Sequence, residues 1–240
     1  MSKHLFISDL HLAPERPDII QLFITFLKDQ AANAESLYIL GDLVEYWLGD
    51  DDNAEGLTEA FDCMKQLSDN GLAIYLMHGN RDFLMGEAFA TRTGCKLIHE
   101  PFIAEFDKTP VLLMHGDILC TDDVRYQELR IMLRNPAWQA DFLSKPLAER
   151  EQMAIALRKQ SQEETQTKAA DIMDVNEAAV NQAFIDSDVT LMIHGHTHRP
   201  AVHELEVNGS TVKRIVLGDW YSQWSVLEFN GVDDFSLKSF

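Results

Sequence analysis

Five short stretches of this chain carry residues able to bind metal ions. Ile7-Ser8-Asp9-Leu10-His11 contains Asp-x-His, and Leu40-Gly41-Asp42 contains Gly-Asp. His78-Gly79-Asn80-Arg81-Asp82 contains Gly-Asn, Met114-His115-Gly116-Asp117 a single His, and Ile193-His194-Gly195-His196-Thr197-His198 Gly-His-x-His. Each alone is weak. An isolated Asp-x-His is more often a turn or a satisfied core histidine, and Gly-Asp after a strand is commonly a tight turn. Five in order, each closing an apolar run, point elsewhere. Their carboxylates, imidazoles and side-chain amide suit borderline or harder cations such as manganese, with iron or zinc also accommodated. Two such cations, roughly 3.5–4 Å apart, lower the pKa of a shared water and neutralise phosphoryl oxygens. A carboxylate on a rigid strand end suits the shared ligand. The chemistry this set fits is phosphoester hydrolysis.

The positioning elements are legible as apolar runs: Leu5–Ile7, Leu37–Leu40, Ala73–Met77, Val111–Met114, Leu191–Ile193 and Ile215–Leu217. Such runs suit strands buried on both faces. Helical spacing lies between the early ones, in Pro17–Ala32 and Leu57–Asp69. Strand alternating with helix predicts a layered α/β fold with ligands at the strand ends. Ser225–Phe229 and Phe235–Phe240 around Asn230-Gly231 read as a β-hairpin.

The alternation stops between the run ending at Met114 and the run ending at Ile193. Only helical patterns occur there: Asp122–Arg134, Ala137–Leu143, Pro146–Gln160 and Asp174–Asp186. The chain therefore reads as one domain over residues 1–240, carrying a helical cap insertion at about 121–168. Residues 120–170 hold eight Lys/Arg and eight Asp/Glu, so the rest of the chain carries the whole net charge of −19.

That charge argues against nucleic acid, which demands a basic surface, and against a polybasic membrane anchor for the molecule as a whole. Cys63, Cys95 and Cys120 are widely spaced, odd in number and lack CxxC, which fits a reducing compartment. The Met1–Lys3 start lacks the pattern of a secretory signal. No apolar run approaches the ~20 residues of a membrane span.

The five motifs resemble the pattern D-x-H, G-D, G-N-[HR], H, G-H-x-H of the calcineurin-like metallophosphoesterases. The resemblance implies a two-sheet β-sandwich flanked by helices. It implies that Asp9, His11 and His198 bind one metal, that Asn80, His115 and His196 bind the other, and that Asp42 bridges them. Many members carry His after the G-N; here Arg81 stands there, unable to donate a proton usefully but able to fork onto phosphate oxygens. The leaving group should then need little protonation, as a phosphate does. Asp82 is expected to orient the guanidinium.

Longer strings are more specific. GDLVEYWLGDDD (41–52), HGNRDFLMG (78–86), MHGDILCTDD (114–123), IMDVN (172–176) and IHGHTHRPAVHEL (193–205) resemble the pyrophosphohydrolases that act on UDP-2,3-diacylglucosamine in lipid A biosynthesis. That family implies two Mn2+ ions, attack of water on the α-phosphorus, and release of UMP and 2,3-diacylglucosamine 1-phosphate. Catalytic roles fall on Asp42, Asn80, Arg81 and His196. Contacts to the acylated UDP-sugar fall on Asn80, Arg81, Asp123, Ser161, Thr165, Lys168 and His196, with Thr165 standing where relatives carry Asn. A cytoplasmic, peripheral place on the inner membrane is also implied, with no obligate protein partner and no nucleic acid.

Other residues invite blander readings. His78 and His194 are expected to be structural, and Trp47 to belong to the core. Asp50-Asp51-Asp52 reads as a solvated acidic loop or an extra metal site. Tyr126, Leu129, Met132, Leu133, Trp138 and Phe142 either pack against the body or line an acyl groove. Two rival functions share the fold. One is a scaffold that has lost catalysis, which should also have lost ligands; the other is a phosphoesterase for soluble substrates, which needs an open cleft.

Overall fold

In the computed structural model, residues 3–167, 174–221 and 224–239 are described, without the side chains of residues 160–167. The apolar runs are strands, and their two faces feed different cores. On β1 (His4–Ile7), Leu5 and Ile7 point to helices α1 (Pro17–Asp29) and α2 (Thr58–Asp69), while Phe6 points the other way. The two-residue period does this. On β2 (Ser36–Leu40), Leu37 and Ile39 again meet the helices, and Tyr38 and Leu40 do not.

The second face packs on another sheet. The first sheet has the order β11-β10-β1-β2-β3-β4 and the second β5-β6-β7-β9-β8. The remaining strands of the first are β3 (Ala73–Met77), β4 (Lys96–Ile98), β10 (Ser225–Gly231) and β11 (Asp234–Ser239). Those of the second are β5 (Phe102–Phe106), β6 (Thr109–Met114), β7 (Leu191–His194), β8 (Ala201–Val207) and β9 (Ser210–Val216). Phe6, Leu40 and Met77 interdigitate with Val111, Leu113, Ile193 and Ile215 between the sheets. Leu112, Met114 and Met192 face outward onto α7 (Glu177–Ser187) through Val180 and Phe184. The result is helix, sheet, sheet, helix, with α3 (Glu87–Thr93) completing the first layer.

Strands β1 to β4 run parallel, as do β6, β7 and β9. Their carboxyl ends therefore open on one side of the sandwich. Between β6 and α7 lie α4 (Val124–Leu133), α5 (Pro136–Leu143) and α6 (Leu147–Thr167). Asn135 caps α5, its Oδ1 accepting from Ala137 N at 2.8 Å with Pro136 following at the first helical position. No helix among the described residues is long and apolar enough to cross a membrane.

Three details differ from the sequence reading. β4, β5 and β8 are additional strands; β5 and β8 are edge strands with one face exposed, at Ile103 and Glu105 and at Val202, Glu204 and Glu206, so neither is a run buried on both faces. The closing hairpin turns at Val232-Asp233, not at Asn230-Gly231, because a bulge at Phe229–Gly231 shifts the register. The first helix ends at Asp29, and Ala31–Asn33 is a separate 3₁₀ turn.

Candidate metal centre and substrate groove

The strands β1, β2, β3, β6 and β7 each end in a turn that carries candidate ligands. β1 and β2 keep pairing past their ends: Asp9 N donates to Gly41 O at 3.1 Å and His11 N to Asp42 O at 3.0 Å. This holds Asp9 and Asp42 side by side. Asp9, His11, Asp42, His196 and His198 all have left-handed backbones, with φ of 55°, 50°, 53°, 68° and 56°. Non-glycine residues seldom adopt that region, and such strain persists where surrounding structure enforces it, often at functional sites. Glycine makes the crowding possible. A Cβ on Gly79 would stand 2.1 Å from Asp42 Oδ1, and one on Gly195 2.5 Å from Asp9 Oδ2.

The seven residues read as ligands converge. His198 Nε2 lies 3.2 Å from Asp9 Oδ1, His11 Nε2 3.7 Å from Asp42 Oδ2, and His115 Nε2 3.9 Å from Asp42 Oδ1. Asn80 Oδ1 sits 3.1 Å from both His115 Nε2 and His196 Nδ1, and 3.2 Å from Asp42 Oδ2. Turning the amide over would let its NH2 donate to all three. A cation among these lone pairs satisfies the same atoms with the amide as it stands. Asp9 Oδ1 and His11 Nε2 are buried with no hydrogen-bond partner, and His11 Nδ1 has only Glu45 Oε2 nearby, 3.3 Å away and out of line. Buried lone pairs aimed at one space fit a divalent cation. Asp9, His11 and His198 form one group of suitable geometry, and Asp9, Asp42 and His115 a second that shares Asp9.

Surrounding groups orient the imidazoles. His115 Nδ1 donates to Leu40 O at 2.9 Å, which leaves Nε2 facing the cluster. His198 Nδ1 lies 3.3 Å from Asp219 Oδ2, and His11 Nδ1 3.3 Å from Glu45 Oε2. Burial, then the charge of His115, lowers the His196 pKa to about 4, so its lone pair is available at neutral pH. His115 is pushed the other way, to about 9: burial opposes its charge, but Asp42, Asp9, Asp117 and Glu100 outweigh burial. Its proton must leave when a cation binds.

Arg81 bridges the cluster and a groove. Its backbone N donates to Asp42 Oδ1 at 2.8 Å, and its side chain lines the groove. Asp82 does not orient that guanidinium. Fully buried, it accepts from Leu43 N at 2.8 Å and Gly79 N at 2.7 Å, stapling the ends of β2 and β3 together. The groove has an empty volume of about 940 Å³, part of it open to solvent, and runs between the body and the helical insertion. Tyr126, Leu129, Leu133, Trp138 and Phe142 line it, with Phe83 and Leu84 from the body. Met132 faces solvent instead, at 43% exposure. Trp47 belongs both to the core and to the groove wall.

Other expectations resolve as follows. In Asp50-Asp51-Asp52 the side chain of Asp51 is exposed, as a solvated loop predicts, but all three carboxylates have partners within the chain. Asp50 accepts from Gly86, Ala88 and Phe89 N at the start of α3, Asp51 pairs with Arg150 of α6, and Asp52 accepts from Ala54 N. His78 bonds Met85 O and His194 bonds Gly195 O, both as structural groups. Asp123 caps α4, accepting from Tyr126 N at 3.1 Å. Ser161 and Thr165 fall in α6 where side chains lie outside the described residues, as does Lys168 entirely.

Sequence reasoning missed a buried network behind His115. Arg130 of α4 donates to Asp117 Oδ2 at 2.7 Å and to Glu100 Oε1 at 2.6 Å, and Tyr126 Oη donates to Asp117 Oδ2 at 2.5 Å. Burial, then the charge of Asp117, lifts the Glu100 carboxyl to about 7. The only available signal was Asp117 itself, two residues past His115.

The family model for calcineurin-like phosphoesterases matches residues 2–200. A UDP-2,3-diacylglucosamine hydrolase of Stenotrophomonas maltophilia is 50% identical over 230 residues, covering 93% of each chain. One of Marinobacter nauticus is 52% identical over 216 residues, covering 90% of this chain and 88% of its own. Among solved structures, an archaeal phosphodiesterase superposes with a TM-score of 0.48 at 14% identity, covering 99% of both chains. At half identity over nearly the whole length, the chain belongs to the calcineurin-like phosphoesterases and, within them, to the family of the UDP-2,3-diacylglucosamine hydrolases, as a metal-dependent hydrolase.

Proposed function

We propose that this enzyme cleaves the pyrophosphate of UDP-2,3-diacylglucosamine in lipid A biosynthesis, releasing UMP and 2,3-diacylglucosamine 1-phosphate. The carrying observation is the continuity of an apolar groove with a buried ligand cluster, joined at Asn80 and Arg81. Asp9, His11 and His198 would hold one Mn2+ and Asn80, His115 and His196 the other, with Asp42 the ligand they would share. When bound, the two cations supply a nucleophilic water at neutral pH and neutralise phosphoryl oxygens. Arg81 forks onto pyrophosphate oxygens and holds them in line; its guanidinium does not give up a proton, and a sugar phosphate leaves without one.

Helices α4 to α6 act as a cap on the single domain. Their apolar walls take the acyl chains, at ~0.8 kcal/mol per buried methylene. Asp123, Ser161, Thr165 and Lys168 read the glucosamine end. Val124, Ile131 and Ile155, exposed at 62%, 71% and 56%, suit peripheral contact with the cytoplasmic face of the inner membrane. Turnover in ¹⁸O-water tests the reaction: label is expected on UMP, and label on the sugar phosphate would place attack at the other phosphorus and overturn the mechanism.

A further inference from the structure

Glu45 stands three residues beyond Asp42, on the stretch that continues the β1–β2 pairing, its N donating to Leu12 O at 3.0 Å. It is 5% exposed, deep for a carboxylate that binds nothing in the family pattern. Its two oxygens serve different parts of the molecule. Oε2 lies 3.3 Å from His11 Nδ1 and accepts from Tyr221 Oη at 3.1 Å. Oε1 lies 2.9 Å from Nη2 of Arg158, which comes from α6 and lines the groove. Tyr221 also stacks on the His11 ring, 4.8 Å between centroids at 18°. The His11 imidazole is thus held flat by Tyr221 and along its Nδ1 edge by Glu45.

We infer that Glu45 is a positioning residue for His11, and that Arg158, acting through Glu45, links the helical insertion to cation binding on the His11 side of the cluster. A carboxylate can only accept, so it keeps the proton on Nδ1 and the lone pair on Nε2, which faces Asp42. Both carboxylate oxygens of Glu45 are partnered, Oε2 by His11 and Tyr221 and Oε1 by the Arg158 guanidinium. Without Arg158 the buried charge loses its direct guanidinium partner, and the cheapest relief is for the side chain to turn toward water, away from His11. A ligand that occupies the groove touches the same guanidinium. By linkage, whatever the insertion does to cation affinity, cation binding does to the insertion.

The inference rests on the two-cation reading above, and its test separates the two. Metal-stripped full-length chain is titrated with Mn2+ by calorimetry, beside steady-state kinetics on the acylated substrate. Wild type should take up two equivalents; fewer would remove the dinuclear reading and this inference with it. Glu45→Gln should weaken one Mn2+ site by about 10–100-fold, the range for lost carboxylate–histidine support, and leave the other unchanged. Tyr221→Phe, at a partly exposed position, should weaken the same site less. Arg158→Ala should reproduce part of the Glu45→Gln loss, and Arg158→Lys should restore it. Two normal sites in Glu45→Gln would overturn the positioning role. Arg158→Ala that raises KM with both Mn2+ affinities intact would overturn the link through the insertion.

Discussion

The strand-end cluster and the helical insertion are built on opposite principles. At the cluster, Asp9, Asp42 and His115 are almost wholly buried; Asp9 and Asp42 have left-handed backbones, and His115 precedes left-handed Gly116. In the insertion, α4 has no buried residue and α5 has one, Phe142. The insertion is held to the body by arginines: Arg130 to Asp117 and Glu100, Arg134 to Gly79 O at 2.8 Å, and Arg150 to Asp51 and Leu48 O. On the proposed reading, chemistry sits on constrained backbone and recognition on side chains that can be exchanged. An error of an ångström is ruinous at the first and tolerable at the second.

If the division is real, substitutions should separate along it. Asp42→Ala strikes the cluster at its centre; hydrolysis should vanish and metal content fall sharply, read by elemental analysis. Full occupancy with normal turnover would end that assignment. Arg81→Ala comes next. Loss of a charge-stabilising donor of this kind lowers rates by about 10²–10³-fold, and metal content should stay at the wild-type level. Metal loss in this variant would move Arg81 from recognition to architecture.

Leu133→Asn touches only the groove. KM for the acylated substrate should rise roughly tenfold, the scale for a damaged apolar contact, while slow cleavage of a small chromogenic phosphodiester stays near normal. Equal losses on both substrates would make the insertion part of the folding core. Asp50→Ala has the smallest expected effect on turnover. It removes the acceptor at the start of α3 and should lower stability by about 1–2 kcal/mol in a urea titration, leaving kcat close to wild type. A collapse of kcat there would show that the body's loops are not independent of its chemistry.

The same contrast governs what could be read in the sequence. The candidate ligands lie within a few residues of a strand end, so Asp42 and His115 are marked by an apolar run before them and a glycine beside them, and Asp9 by the run Leu5–Ile7 alone. Edge strands β5 and β8 have one face in solvent, so neither shows the pattern of a strand buried on both faces. Asp50 looked solvated because α3 is short, so the helix it caps went unseen. The Glu45–Arg158 and Glu100–Arg130 pairs leave no local trace: each joins segments far apart in the chain, and only the folded sandwich makes them neighbours.

The left-handed turns at Asp9, His11, Asp42, His196 and His198 bear on how the protein meets its ions. These dihedrals belong to the fold itself, so on the proposed reading the entropy of ordering the ligands is spent during folding and not during loading. Removing the ions with a chelator should leave the far-ultraviolet circular dichroism unchanged and lower Tm only by what mass action takes away. Reloading should then follow a single concentration-dependent phase in stopped flow, with no slower step behind it.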